Sequence, residues 1–267
     1  MKKSILFVGL CALLTVAVIP VMAQAPRSLA TLTSNGVPGV KSPSVVLPCS
    51  PCLFYAGDWA STDTNWVIFA NADGAGFGGQ ISIYSGFRVP SGKTWTVTGL
   101  FSNTGFINID HFTPSTPEWS INSGMKAGVA GTVIASGETA GRAKATGRTA
   151  SSGAGNVVEY SVIVKLPTPV TLTGGLYTEG VTPPCNSSQD SACAGALFYE
   201  TDSYDPANTN NEGVNHRGAP TVAGNNFQNG AIFGLNYTQL NSSYCTSNGF
   251  QSYACNFMSA GVMGTKQ

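Results

Sequence analysis

The sequence predicts an all-β protein: a two-sheet antiparallel sandwich, jelly-roll-like, in a single domain over residues 53–267. Three observations carry that prediction. Short segments alternate apolar and polar side chains with a period of two. Turn-forming residues punctuate them, with 32 Gly and 15 Pro in 267 residues. Beyond residue 23, no window of about 11 residues or more keeps the stripe of an amphipathic helix.

The elements follow in chain order. Lys2 and Lys3, the apolar stretch Ile5 to Ile19 and the small-residue site Pro20-Val21-Met22-Ala23 read as a signal peptide over 1–23, cut near Ala23. Residues 24–52 are rich in Pro, Ser and Thr without sustained periodicity, the pattern of a leader arm. Ile81, Ile83 and Phe87 then alternate with Gln80, Ser82 and Arg88, and Trp95, Val97 and Gly99 alternate with threonines. Ile107 and Ile109 continue the pattern. Val158, Tyr160, Val162, Val164 and Leu166 form the longest stripe, opposite Glu159, Ser161 and Lys165, followed by Val170 and Leu172. Each is expected to be a half-buried strand with one wet face. Turns are expected at Pro90-Ser-Gly92, Asn103-Thr-Gly105, Gly174-Gly175 and Asn248-Gly249, and a turn of helix at Asn122 to Gly128.

Charge and cysteine content set the compartment and exclude some partners. Only 10% of residues are charged, with 13 basic and 13 acidic. No block of like charge offers a nucleic acid the clustered Lys and Arg it needs. No stretch after the leader reaches the ~18 apolar residues of a membrane span. Cleavage near Ala23 removes Cys11 and leaves six of the seven cysteines. In a secreted or periplasmic chain an even number reads as disulfides, and spacing favours the local pairs Cys49–Cys52, Cys185–Cys193 and Cys245–Cys255. Cys49-Ser-Pro-Cys52 has redox spacing, but Leu53-Phe54-Tyr55 continues as a strand, so no helix N-terminus is there to activate a thiol.

Phe87-Arg-Val-Pro-Ser-Gly-Lys-Thr-Trp-Thr-Val-Thr-Gly-Leu-Phe-Ser-Asn103 resembles a segment common in uncharacterised secreted bacterial jelly-roll or β-sandwich proteins. Leu166-Pro-x-x-Val-x-Leu-x-x-Gly-x-Tyr177 is similar to their second recurring stretch, and the resemblance spans roughly 53–200. It implies a jelly-roll-like fold and export, and it implies no activity.

Local catalytic motifs are sparse. The Gly-x-Ser-x-Gly, His-Glu-x-x-His and P-loop signatures do not occur. Ser123-Gly-Met-Lys126 matches Ser-x-x-Lys, which works only where the Ser opens a buried helix. Asp110 and His111 are adjacent on a predicted strand and point to opposite faces. Trp59 and Trp66 flank the polar run Ala60 to Asn65, and aromatic faces beside amides and carboxylates are what a sugar-binding surface uses. The run from Glu200 to Glu212 is the densest in oxygen ligands, with Glu200, Asp202 and Asp205 as candidate calcium ligands. The expected function is therefore a binding or adhesion module for carbohydrate or extracellular matrix. The alternatives are a structural extracellular or surface protein without a specific small ligand, and a hydrolase whose two carboxylates meet only in space.

Overall fold

Alternation that the sequence displays in fragments becomes, in the computed structural model, two very long strands and a set of shorter ones laid against them. The structure describes residues 31–33, 39–40, 49–58, 67–74, 79–107, 116–152, 155–185, 197–201, 213 and 216–267. In order these form β1 (Thr31–Thr33), β2 (Gly39–Val40), β3 (Cys52–Tyr55), β4 (Val67–Ala70), β5 (Asp73–Gly74), β6 (Ser82–Ile107), β7 (Glu118–Ser123) and β8 (Thr132–Glu138). There follow β9 (Gly141–Ser152), β10 (Gly155–Thr182), β11 (Pro184–Cys185), β12 (Leu197–Thr201), β13 (Arg217–Gly218), β14 (Asn226–Gly230), β15 (Leu235–Leu240), the helix α1 (Ser242–Ser247) and β16 (Ala260–Lys266).

The expected all-β, antiparallel class holds. Ladder pairing links 14 strands into one network with the path β1-β4-β12-β6-β10-β7-β8, and β11 pairs with β5 in a small parallel sheet. The strands β6 and β10 are the frame. They run antiparallel from Val157 opposite Ile107 to Glu179 opposite Ser85. β1 and β2 lie within the 24–52 stretch and pair with β4 and β9.

Three of the expected turns lie inside these long strands. Pro90 to Lys93 is an excursion between Val89 and Thr94 after which β6 resumes its pairing with β10 in the same direction. Asn103 is held extended because its amide is used for tertiary bonds, donating to the Tyr55 hydroxyl at 2.8 Å and to Ser259 Oγ at 2.8 Å. Gly174 and Gly175 sit within β10 opposite the same excursion. Tertiary contact outweighs turn propensity at Asn103, whereas Pro90 to Lys93 is exposed and leaves the ladder locally, with Gly92 at φ 72°. Asn248-Gly249 is a true turn, at the end of α1, whose N-cap Asn241 accepts from the Tyr244 backbone N–H at 2.9 Å. The helical turn expected at 122–128 is a hairpin turn instead, with Gly124 at φ 66° and Lys126 bridged to Val129.

The main core gathers the predicted inward residues Phe87, Trp95, Val97, Val162, Val164 and Leu172 with Phe54 and Phe106. Phe87 organises it, stacking on Trp95 at 6.0 Å and on Tyr177 at 5.8 Å between ring centroids. A second cluster joins Phe69, Ile83 and Leu240 to the bonded pair Cys245–Cys255. A third places Tyr55, Phe101 and Ile163 beside the bonded pair Cys49–Cys52.

The third cluster corrects the expectation of a wet face on β10 at Glu159 and Ser161, whereas Lys165 is exposed as expected. Glu159, Ser161 and Ile163 are buried as fully as the apolar stripe opposite them, because β3 and the segment before β16 cover that side. At the other end of the path β8 is an edge strand. Its pairing with β7 skips Ile134, a bulge that leaves Val133 and Ile134 exposed and interrupts the edge as a template for further strands.

Candidate functional site

Two groups of carboxylates stand out against a chain so poor in charge. The first is buried. Arg148 of β9 is held by Asp58 at 2.7 Å and by Glu159 of β10, all through Nη2. The Tyr55 hydroxyl donates to Asp58, and Thr146 Oγ1 donates to Glu159 Oε2 at 2.7 Å. Burial raises the Tyr55 phenol well above its usual range, and the Asp58 charge adds to the effect. Burial alone would lower the Arg148 guanidinium, but Glu159, Tyr55 and Asp58 more than offset it and keep it charged. This group, buried throughout, has the chemistry of a structural tie.

The second group is open. Because side chains alternate along a strand, register decides which residues share a face. Thr182 and Gly180 of β10 lie opposite Glu118 and Ser120 of β7, which in turn lie opposite Glu138 and Ser136 of β8. Ser82 of β6 joins this face by accepting a hydrogen bond from Thr182 at 2.8 Å. The other face of the same strands carries Ile121 and Val181 into the core, and Trp119, which also packs in the core, reaches the edge of the cleft. The result is a cleft of about 360 Å³ with a floor of hydroxyls, two glutamates, the amide of Gln80 and the ring of Tyr84. Gly180 makes room for that ring: a Cβ there would stand 3.1 Å from Tyr84 Cδ1. Tyr237 stands beside it with ring centroids 5.9 Å apart.

Electrostatics in the cleft follow from geometry. Glu118 is half-buried, and burial raises its carboxyl above the ordinary value, with the nearby Asp73 and Glu138 charges acting in the same direction. Gln80 Nε2 donates to Glu118 Oε2 and opposes the shift. The Tyr84 phenol is pushed up to about 12, mainly by burial and then by Tyr237. Glu118 and Glu138 are directly opposed across an antiparallel pair, so their Cβ atoms lie about 4.5–5.5 Å apart. Among the described residues, no lysine or arginine lines the cleft.

Several residues singled out from the sequence are not among these. Trp59, Trp66, Asp202 and Asp205 lie outside the described residues, and Glu200 is described only as backbone in β12, paired with Phe69 and Thr104. Cys49–Cys52 and Cys245–Cys255 are bonded, whereas Cys185–Cys193 falls outside the described side chains. Ser123 ends β7 and Lys126 is exposed in the hairpin turn, so Ser-x-x-Lys is not on a helix. Among the described residues, no set of three or more His, Cys, Asp or Glu side chains is placed to hold a metal ion. The glutamate pair escaped sequence reading because 20 residues separate Glu118 from Glu138. The signal that would have found it is the 118–138 hairpin, whose register sets the two acids side by side.

These features define an all-β protein with local disulfides and one polar, acidic cleft on a sheet face. Comparison with protein-family models, with curated proteins and with solved structures returns no match. Among the described residues no helix is long and apolar enough to cross a membrane.

Proposed function

We propose that the chain is an exported, jelly-roll-like binding module that takes a hydroxyl-rich ligand, a glycan or matrix polysaccharide, into the cleft of β6, β10, β7 and β8. The observation that carries this reading is the cleft's make-up: Ser82, Ser120, Ser136, Thr182 and Gln80 for hydroxyl hydrogen bonds, with the apolar face of Tyr84 for a sugar ring. Export is supported by the disulfides and by the leader-like first 23 residues. Trp59 and Trp66 belong to the proposal as additional platforms, and calcium on Glu200, Asp202 and Asp205 as a separate element; chelation lowers the melting temperature only where that ion is present.

The test is a glycan array on the purified chain, with Gln80→Ala, Glu138→Gln, Trp59→Ala and Trp66→Ala as variants. Loss of binding in the first two supports the cleft. Loss only in the tryptophan variants moves the ligand to the 59–66 run, and no binding to any glycan discards the reading in favour of a structural protein.

One observation favours hydrolysis as a second reading: the opposed pair Glu118 and Glu138, with Glu118 raised by burial. A retaining glycosidase sets its two carboxyls about 5–5.5 Å apart, and cross-strand neighbours with flexible glutamate side chains can reach that separation. Glu118 would give its proton to the glycosidic oxygen, and Glu138 would attack the anomeric carbon until water releases it. Appearance of reducing ends from a bound oligosaccharide, abolished by Glu118→Gln, distinguishes this from binding alone.

A further inference from the structure

A second cavity, away from the acidic cleft, has the opposite chemistry. It measures about 440 Å³, within the range of small-ligand sites, and lies where β9, β10 and β16 meet, lined by Ala140, Arg142, Ile163, Val164, Lys165 and Met263. Register again fixes the face. Ile163 pairs with Arg142 on one side and Phe101 on the other, while Lys165 and Met263 both lie opposite Gly99. A side chain at Gly99 would displace Met263 from its place in this lining, since its Cβ would fall 2.5 Å from Met263 Cε.

The floor is apolar. Ile163 is 4% exposed and packs with Tyr55 and Phe101, and Met263 lies against the same cluster. The rim is cationic. Arg142 and Lys165 are exposed at the mouth, and Lys144 lies two residues beyond Arg142 on the same face. Among the described residues, the lining contains no carboxylate and none of these three cations has a carboxylate partner. With 13 Lys and Arg in the whole chain, three on one face of the β9–β10 pair make this a distinctly basic spot.

An apolar floor with a cationic rim selects a ligand that is itself divided. A neutral sugar would leave the floor uncovered, and an inorganic anion would not use it. A guanidinium offers a planar fork that fits a carboxylate with two hydrogen bonds. We propose that this cavity binds an aliphatic carboxylate, with the hydrocarbon chain on Ile163 and Met263 and the carboxylate between Arg142 and Lys165.

The experiment is titration calorimetry of the whole chain with decanoate below its micelle concentration. Decyltrimethylammonium supplies the same tail with the opposite charge, and acetate supplies the head alone. The expected result is saturable binding of decanoate only, about tenfold weaker in Arg142→Ala and in Lys165→Ala, each of which keeps the wild-type melting temperature because both side chains are exposed. Met263→Ser, which keeps the cations, is expected to weaken decanoate as well. Absence of decanoate binding, equal binding of the ammonium, or binding unchanged in both charge variants overturns the proposal.

Discussion

Asp58 and Glu159 on one side of the molecule, Glu118 and Glu138 on another, are pairs of the same chemistry in opposite circumstances. The first pair shares the Arg148 guanidinium and takes hydroxyl donors from Tyr55 and Thr146. Among the described residues the second has no cation beside it in the cleft, and Gln80 is its one hydrogen-bond donor. A paired and buried charge is committed: its energy is spent on fixing which strands meet. An unpaired, half-exposed charge keeps its capacity to bind or to transfer a proton. The difference separates the residues that hold β3, β9 and β10 together from those that face a ligand.

The comparison breaks most visibly at Arg148. Replacing it with Ala leaves two carboxylates buried without their cation and is expected to cost about 3–5 kcal/mol, read as a lowered denaturant midpoint. A loss below ~1 kcal/mol would mean that water reaches the group and that it is not a tie. Tyr55→Phe removes one donor from the buried Asp58 and is expected to cost about 1–3 kcal/mol, with cleft binding unchanged.

At Glu118 the expected effect is smaller and of opposite sign. Its carboxyl is raised in the folded chain, so the folded state holds a proton that the unfolded state has released. Stability therefore falls as pH rises from the ordinary glutamate value through the raised one. Glu118→Gln removes that segment of the pH dependence and is expected to be slightly more stable than the parent above it. Melting curves across the acidic range check this; a parallel pH profile in parent and variant would show that Glu118 is not the group responsible.

Much of the fold was legible in the sequence, and particular residues show why the rest was not. Ile81, Phe87, Trp95, Val97 and Val162 alternate as strands do and are buried as that pattern requires. Glu159 and Ser161 read as a wet face because periodicity registers one apolar stripe, and it has no means of registering polar partners brought from elsewhere, Arg148 for Glu159 and Asn103 for Ser161. Asn103-Thr-Gly105 reads as a turn because its local chemistry is that of a turn, while the bonds that straighten it come from Tyr55 and Ser259, far away in the chain. The candidate site was the least legible part. It consists of ordinary serines, a threonine and two glutamates whose only special property is their register across four strands.

That register has a kinetic consequence through the β6–β10 ladder. Val157 meets Ile107 across the shorter connection, and Glu179 meets Ser85 across one roughly twice as long, so closing the near end first sacrifices less chain freedom. Zipping is expected to run from there toward Ser85. The recess around Ser82, Gly180 and Glu118 sits beyond the last rung, so it acquires its shape late, after the rest of the molecule has committed to its strand order.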